Sequence, residues 1–143
     1  VDTVEFYGGI ITPCARDCMA FRKNLGAEDI MVLADIQVKH TNMLLPHVTI
    51  EKSAKNAVDC GADAVIVTGS AIGETTPIEM IERVKKVVKI PVVAGSGVNA
   101  RNIDSQLSIA DGAIIGSSLK EGGILSNPIS GELVREVLAG LHK

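Results

Sequence analysis

Hydrophobic positions along this chain alternate between short continuous runs and stripes that recur every three to four residues. "DIMVLADIQVK" begins as an apolar run and then alternates, which predicts a strand. In "PHVTIEKSAKNAVDCG", Ile50, Ala54, Ala57 and Val58 share one helical face, and Gly61 supplies the stop. "ADAVIVTG" is short and continuously apolar, as expected of a strand covered on both faces. "TPIEMIERVKKVVK" carries a helix start: Thr76 as N-cap, Pro77 at the first helical position and Glu79 completing a capping box. Its stripe is Ile78, Ile81, Val84 and Val88. "PVVAGSG" reads as the next strand, "NARNIDSQLSIA" as a short helix capped by Asn99, and "DGAIIGSS" as a further strand. "SGELVREVLAGLHK" closes the chain as an amphipathic helix with Leu133, Val134, Val137, Leu138 and Leu141 inward. Near the start, Thr12 and Pro13 open a helix with Cys14, Cys18, Phe21 and Leu25 on one packed face, and "VEFYGGII" reads as a strand remnant.

These strand–helix units are weakly repetitive. "GADAVIVTGS" (61–70) aligns with "IADGAIIGSS" (109–118), and "LGAEDIMVLAD" (25–35) starts similarly. Repeated units of this kind imply parallel strands joined by right-handed crossovers. Two α/β architectures fit: a (β/α)8 barrel and a small open sheet of the flavodoxin kind.

Composition narrows the function classes. Residues 1–143 form at most one ordinary domain, and with 46% hydrophobic residues a real core is expected. A net charge of −3, no basic run, no Trp and one Tyr argue against a nucleic-acid partner. No apolar run approaches the roughly 18 residues that span a bilayer, so no direct membrane insertion is expected. Cys14, Cys18 and Cys60 make an odd count without a disulfide framework, which fits a reducing, cytoplasmic setting. Cys14 and Cys18 lie on an apolar stripe without His companions, so neither a metal site nor a cofactor is expected.

The candidate chemistry sits where strands end. In parallel α/β folds ligands bind at the carboxyl ends of the strands. There "GSG" and "GSS" place Gly95, Gly97 and Gly116, whose backbone N–H groups can approach an anion closely, beside the hydroxyls of Ser96, Ser117 and Ser118. Gly and Ser also serve simply to make tight turns. Their occurrence on two consecutive strands favours one shared phosphate cradle, and favours the barrel over the open sheet. In "ADIQVKH", Asp35, Gln37 and Lys39 share one parity and Ile36 and Val38 the other. The polar trio is expected inside the barrel near its rim, with Asp35 and Lys39 paired. Lys39 would neutralise an anionic intermediate or act as a nucleophilic amine, with Asp35 as base or orienter. A structural salt bridge is the competing reading. His40 has the other parity but could turn inward from its loop, and Thr68 at the end of "IVTG" could reach a substrate. Ser70 and Glu74 lie in the same loop; His47 belongs near the next helix start and His142 at the terminus.

The segments "LADIQVKH", "GADAVIVTGSAIGETTPIE", "PVVAGSGVNARNI" and "ADGAIIGSSLKEGGILSNPI" closely resemble the BtpA/SgcQ family, from about Gly9 to the end. The resemblance implies a TIM barrel of the ribulose-phosphate-binding type. Its founding cyanobacterial member is associated with photosystem I biogenesis, and other members occur in organisms without photosynthesis. A full barrel takes about 250 residues. This chain is therefore expected to be the carboxy-terminal half, roughly strands five to eight, and so a truncated piece. The expected function is binding, or acting on, a small phosphorylated metabolite. The alternatives are a non-catalytic assembly factor for a membrane complex, and a fragment inactive by itself. Exposed edges and an open inner face predict self-association or pairing with an amino-terminal half.

Overall fold

The computed structural model describes residues 1–69 and 74–141; Ser70 and His142 lie outside them. In chain order the elements are β1 (Val4–Phe6), β2 (Gly9–Ile11), α1 (Ala15–Asn24), β3 (Leu33–Ile36), β4 (Asn42–Met43), α2 (Ile50–Asp59), β5 (Ala64–Val67), α3 (Ile78–Lys85), β6 (Val92–Ala94), α4 (Ile103–Leu107), β7 (Gly112–Ala113) and α5 (Gly131–Gly140). Two 3-10 turns, Ser117–Leu119 and Glu121–Gly123, lie between β7 and α5.

The main sheet is parallel, in the order β3-β5-β6-β7. Every strand neighbours its predecessor through a strand–helix–strand unit, and the order never reverses. One face carries Ile36, Val65, Val67, Val92 and Ala94, all buried against Ile50, Ala54 and Ala57 of α2, Ile81 and Val84 of α3, Ile103 of α4 and Val137 of α5. The other face carries Leu33, Asp35, Ile66, Val93 and Ile114; Leu33 and Ile114 remain 42% and 47% exposed. Helices on one face of a sequentially ordered parallel sheet make a segment of a barrel wall, not a doubly wound sheet. Among the described residues, no helix is long and apolar enough to cross a membrane.

Several local expectations change. Thr76 does not cap α3. It is fully buried, and its hydroxyl lies within hydrogen-bond reach of the Val67 and Ser96 carbonyls, tying two strand ends together. Pro77 is the residue that precedes the helix. On α1, Phe21 and Leu25 are 64% and 65% exposed, and Cys14 and Cys18 are exposed too; their apolar stripe has no surface to pack on. Asn102 rather than Asn99 occupies the N-cap position of α4. In α5, Gly140 takes the buried position in place of Leu138, because α5 crosses so close to the Ala100 carbonyl that a Cβ there would sit 2.7 Å from it. The chain start forms a separate antiparallel sheet, β2-β1-β4, over the loop that follows β3.

Candidate functional site

The strand ends converge on one rim. The loop after β6 is locked onto the end of β5 and onto residues 74–76. Ser96 is buried; its Oγ accepts from the Gly69 N–H at 2.8 Å and donates to the Glu74 carbonyl at 2.9 Å. The Asn102 amide donates to the Gly97 carbonyl at 2.9 Å. Gly97 has φ +67, and a Cβ there would lie 2.4 Å from the Glu74 carbonyl group and from Thr75 Cα. A Cβ on Gly95 would meet Ile66 Cγ2 at 2.4 Å and Thr68 Cγ2 at 2.7 Å. These glycines are demanded by close packing of the chain on itself. The Ser96 hydroxyl, expected to face an anion, is already committed inside the protein.

The loop after β7 forms the facing wall. Ser118 Oγ donates to the Val98 carbonyl at 2.6 Å and joins the two loops, so its hydroxyl is also occupied. Gly116 differs from Gly95 and Gly97, since a Cβ there would meet nothing within 4 Å. Among the described residues, the backbone N–H groups of Gly97, Gly116, Ser117 and Ser118 have no acceptor. Consecutive free N–H groups of this kind make an anion-receptive concavity. Between the loops lies a cavity of about 260 Å³ lined by Gly95, Gly97, Gly116, Ser117 and Ser118, and by Lys39 as its cation. Lys120 turns away, its Nζ donating to the Leu125 and Asn127 carbonyls.

The segment after β3 does not continue as a strand. Gln37 has φ +47 and His40 φ +62, which breaks the two-residue alternation on which the inward trio rested. Gln37 swings toward α2, where its Nε2 donates to the Val48 carbonyl at 3.1 Å and reaches Ser53 Oγ at 3.3 Å. Val38 is 39% exposed. Asp35 lies on the open sheet face, opposite Ile66 of β5, and borders a cavity lined by Val1, Val4, Phe6 and Ile11. Burial against that apolar surface pushes its carboxyl up to about 6, against the pull of the Lys39 charge. The ion pairs among the described residues join Arg22 to Asp63, Arg83 to Glu51 and Lys85 to Asp111; the expected Asp35–Lys39 pair is not among them. Lys39 reaches instead over the phosphate-type loops and, on its other side, borders a second cavity with His40 and Thr68. Among the described residues, no cluster of three or more His, Cys, Asp or Glu side chains is placed to hold a metal ion.

The model of the BtpA family matches residues 3–143. The chain belongs to the BtpA family. It is 42% identical over 123 residues to an uncharacterized protein of Pyrococcus furiosus, covering 85% of this chain and 45% of that one. It is 33% identical over 124 residues to the photosystem I biogenesis protein BtpA of Synechocystis, covering 85% of this chain and 42% of that protein. This BtpA-family chain thus spans less than half the length of these relatives. Among solved structures, N-(5'-phosphoribosyl)anthranilate isomerase from Pyrococcus furiosus superposes with a TM-score of 0.56 at 19% identity, covering 89% of this chain and 56% of that one. Tryptophan synthase from M. tuberculosis gives 0.53 at 23%, covering 84% and 45%. Both are TIM-barrel enzymes, and the likeness fixes the fold as part of such a barrel.

In this BtpA-family chain the structure gathers Lys39 with residues 95–97 and 116–118, and Lys39 and His40 with Thr68. It leaves Asp35 in another cavity and removes Gln37 to α2. Sequence reasoning placed Glu74 in its loop without a role and missed Thr75 and Asn102; all three shape the Gly97 turn. The "NARN" spacing held a signal, because Asn side chains that bond nearby backbone mark such loops: Asn102 Oδ1 accepts from the Asn99 N–H at 2.8 Å.

Proposed function

We propose that this chain supplies a phosphate-binding site to a BtpA-family barrel that binds, or acts on, a small phosphorylated metabolite. One observation carries the reading: Gly116, Ser117 and Ser118, whose N–H groups have no acceptor among the described residues, line a single cavity of about 260 Å³ together with Lys39. Backbone donors and an ammonium group suit the oxygens of a phosphate. Val98, Ile114 and Leu125 supply the apolar part of the lining. The roles divide accordingly. Gly97 and Ser96 hold the first loop in place, Ser118 bolts the second loop to it, and Gly116 keeps the mouth open. Lys39 brings the compensating charge and would steady negative charge developing on a bound ester.

Titration of the 15N-labelled chain with inorganic phosphate tests the reading. Amide shifts should concentrate at residues 97 and 116–118, and Gly116→Val should abolish them while leaving the rest of the spectrum in place. Shifts confined to other surfaces, with these amides silent, reject the cradle.

A second reading is a non-catalytic assembly or stability factor, as the name of the Synechocystis relative suggests for that protein. It is favoured by two exposed apolar pairs, Tyr7 and Ile10 on the β1–β2 hairpin and Phe21 and Leu25 at α1, since exposed apolar surface marks contact sites. Association that Phe21→Ser and Leu25→Ser remove, and that Gly116→Val leaves intact, would support it.

A further inference from the structure

We infer that the cavity beside the cradle, walled by Thr68, Lys39 and His40, holds the organic part of the same ligand, and that this part carries hydroxyl groups. The inference rests on the phosphate reading and names its ligand class: a short, hydroxylated phosphate monoester.

This second cavity has a volume of about 270 Å³. Lys39 lines both cavities, so a ligand with its phosphate against residues 116–118 extends past the Lys39 side chain into the second. Thr68 is buried, only 8% exposed, and its Oγ1 has no hydrogen-bond partner among the described residues. A buried hydroxyl without a partner is unfavourable, and native structures rarely keep one without reason. The residue borders the cavity, and a ligand hydroxyl that reaches its Oγ1 can both donate to it and accept from it. The neighbouring Gly69 N–H is not free, because it donates to Ser96 Oγ. That leaves the Thr68 hydroxyl as the orphan group of this wall. The remaining walls fit a short carbon chain. Ile50 is branched and rigid, whereas Met80 is unbranched and adapts to irregular shapes. His40 is presented at the mouth by a left-handed backbone, φ +62, that a side-chain-bearing residue adopts at a cost. The first cavity alone accepts any phosphate; the second distinguishes what the phosphate is attached to.

Three probes separate the two cavities: inorganic phosphate, n-propyl phosphate and glycerol 3-phosphate. The last two differ in the hydroxyls alone. Glycerol 3-phosphate should bind about tenfold more tightly than n-propyl phosphate, the effect of one well-made hydrogen bond. Thr68→Val should erase that difference and leave the affinity for inorganic phosphate unchanged. Equal affinity of the two esters for the unmodified chain overturns the inference while leaving the cradle standing. So does a preference that survives in Thr68→Val. Should Thr68→Val fail to fold, the 13C shift of the Thr68 methyl in the unmodified chain decides. It must move with glycerol 3-phosphate and stay with n-propyl phosphate, and a methyl that ignores both overturns the inference. If none of the three probes moves the amides of residues 116–118, the phosphate reading falls and takes this inference with it.

Discussion

Adding one methyl group at Gly97 and one at Gly116 should have opposite consequences, although both glycines stand in similar "GSG" and "GSS" contexts. At Gly97 a Cβ would lie 2.4 Å from the Glu74 carbonyl carbon and oxygen and from Thr75 Cα, all of them backbone. The 74–75 segment would have to retreat by about 1 Å to restore ordinary contact. It is pinned by the Ser96–Glu74 bond at 2.9 Å and by the Thr76 N–H to the Ser96 carbonyl at 3.3 Å. Left-handed backbone at φ +67 adds about 1–2 kcal/mol for an alanine, and overpacking adds roughly 1–3 kcal/mol. Gly97→Ala should therefore destabilise by about 2–5 kcal/mol, a large part of the 5–15 kcal/mol typical of a domain. At Gly116 a Cβ would meet nothing within 4 Å, so Gly116→Ala should stay within about 1 kcal/mol of the parent. Urea unfolding followed by far-UV circular dichroism measures both. With a slope of about 1–3 kcal/mol/M, the Gly97→Ala midpoint should fall by on the order of 1–3 M. Two variants of equal stability, or Gly116→Ala as the weaker, would refute the assignment of Gly97 to packing and Gly116 to the open site.

Lys39→Met should lower the affinity for inorganic phosphate at least tenfold, the scale of one charge-assisted contact, while leaving the unfolding midpoint nearly unchanged; unaltered binding by isothermal titration would remove Lys39 from the cradle. Ser96→Ala leaves the Gly69 N–H and the Glu74 carbonyl without their partner and should cost about 1–3 kcal/mol, measured by the same urea unfolding. Asp35 has a folded pKa raised from 3.8 to about 6, so its contribution to stability is fully present below pH 4 and is lost as pH rises through 6. Asp35→Asn should thus stabilise the chain at pH 8 by about 1–2 kcal/mol once solvent access is discounted, and not at pH 3.5; a carboxyl 13C titration with its midpoint near 4 would contradict this. The open sheet face predicts concentration-dependent association of the 143-residue chain, and sedimentation showing one monomeric species throughout the micromolar range would count against it.

The order of strands and helices was legible because each element carries its own period. The continuous apolar run of β5 reads as a buried strand, and stripes such as Ile81 with Val84 read as helix faces against it. The rim that carries the candidate site was legible too, since parallel strands force the loops at their carboxyl ends onto one side. What the sequence could not assign was which group in each loop is free. "GSG" and "GSS" look alike, yet Gly97 is filled by the backbone of residues 74–75 while Gly116 faces open space. That depends on a segment more than twenty residues away in sequence, and no local pattern encodes the approach. The parity of Asp35, Gln37 and Lys39 failed for a related reason. A strand alternates only while its backbone stays extended, and the left-handed turn at Gln37 ends the alternation before Lys39. Periodicity thus determined the layers and the rim. Contacts between distant loops decided which hydroxyls are spent inside the protein, which N–H groups remain open, and that Lys39 lines the cavity between the phosphate-type loops without forming an ion pair with Asp35.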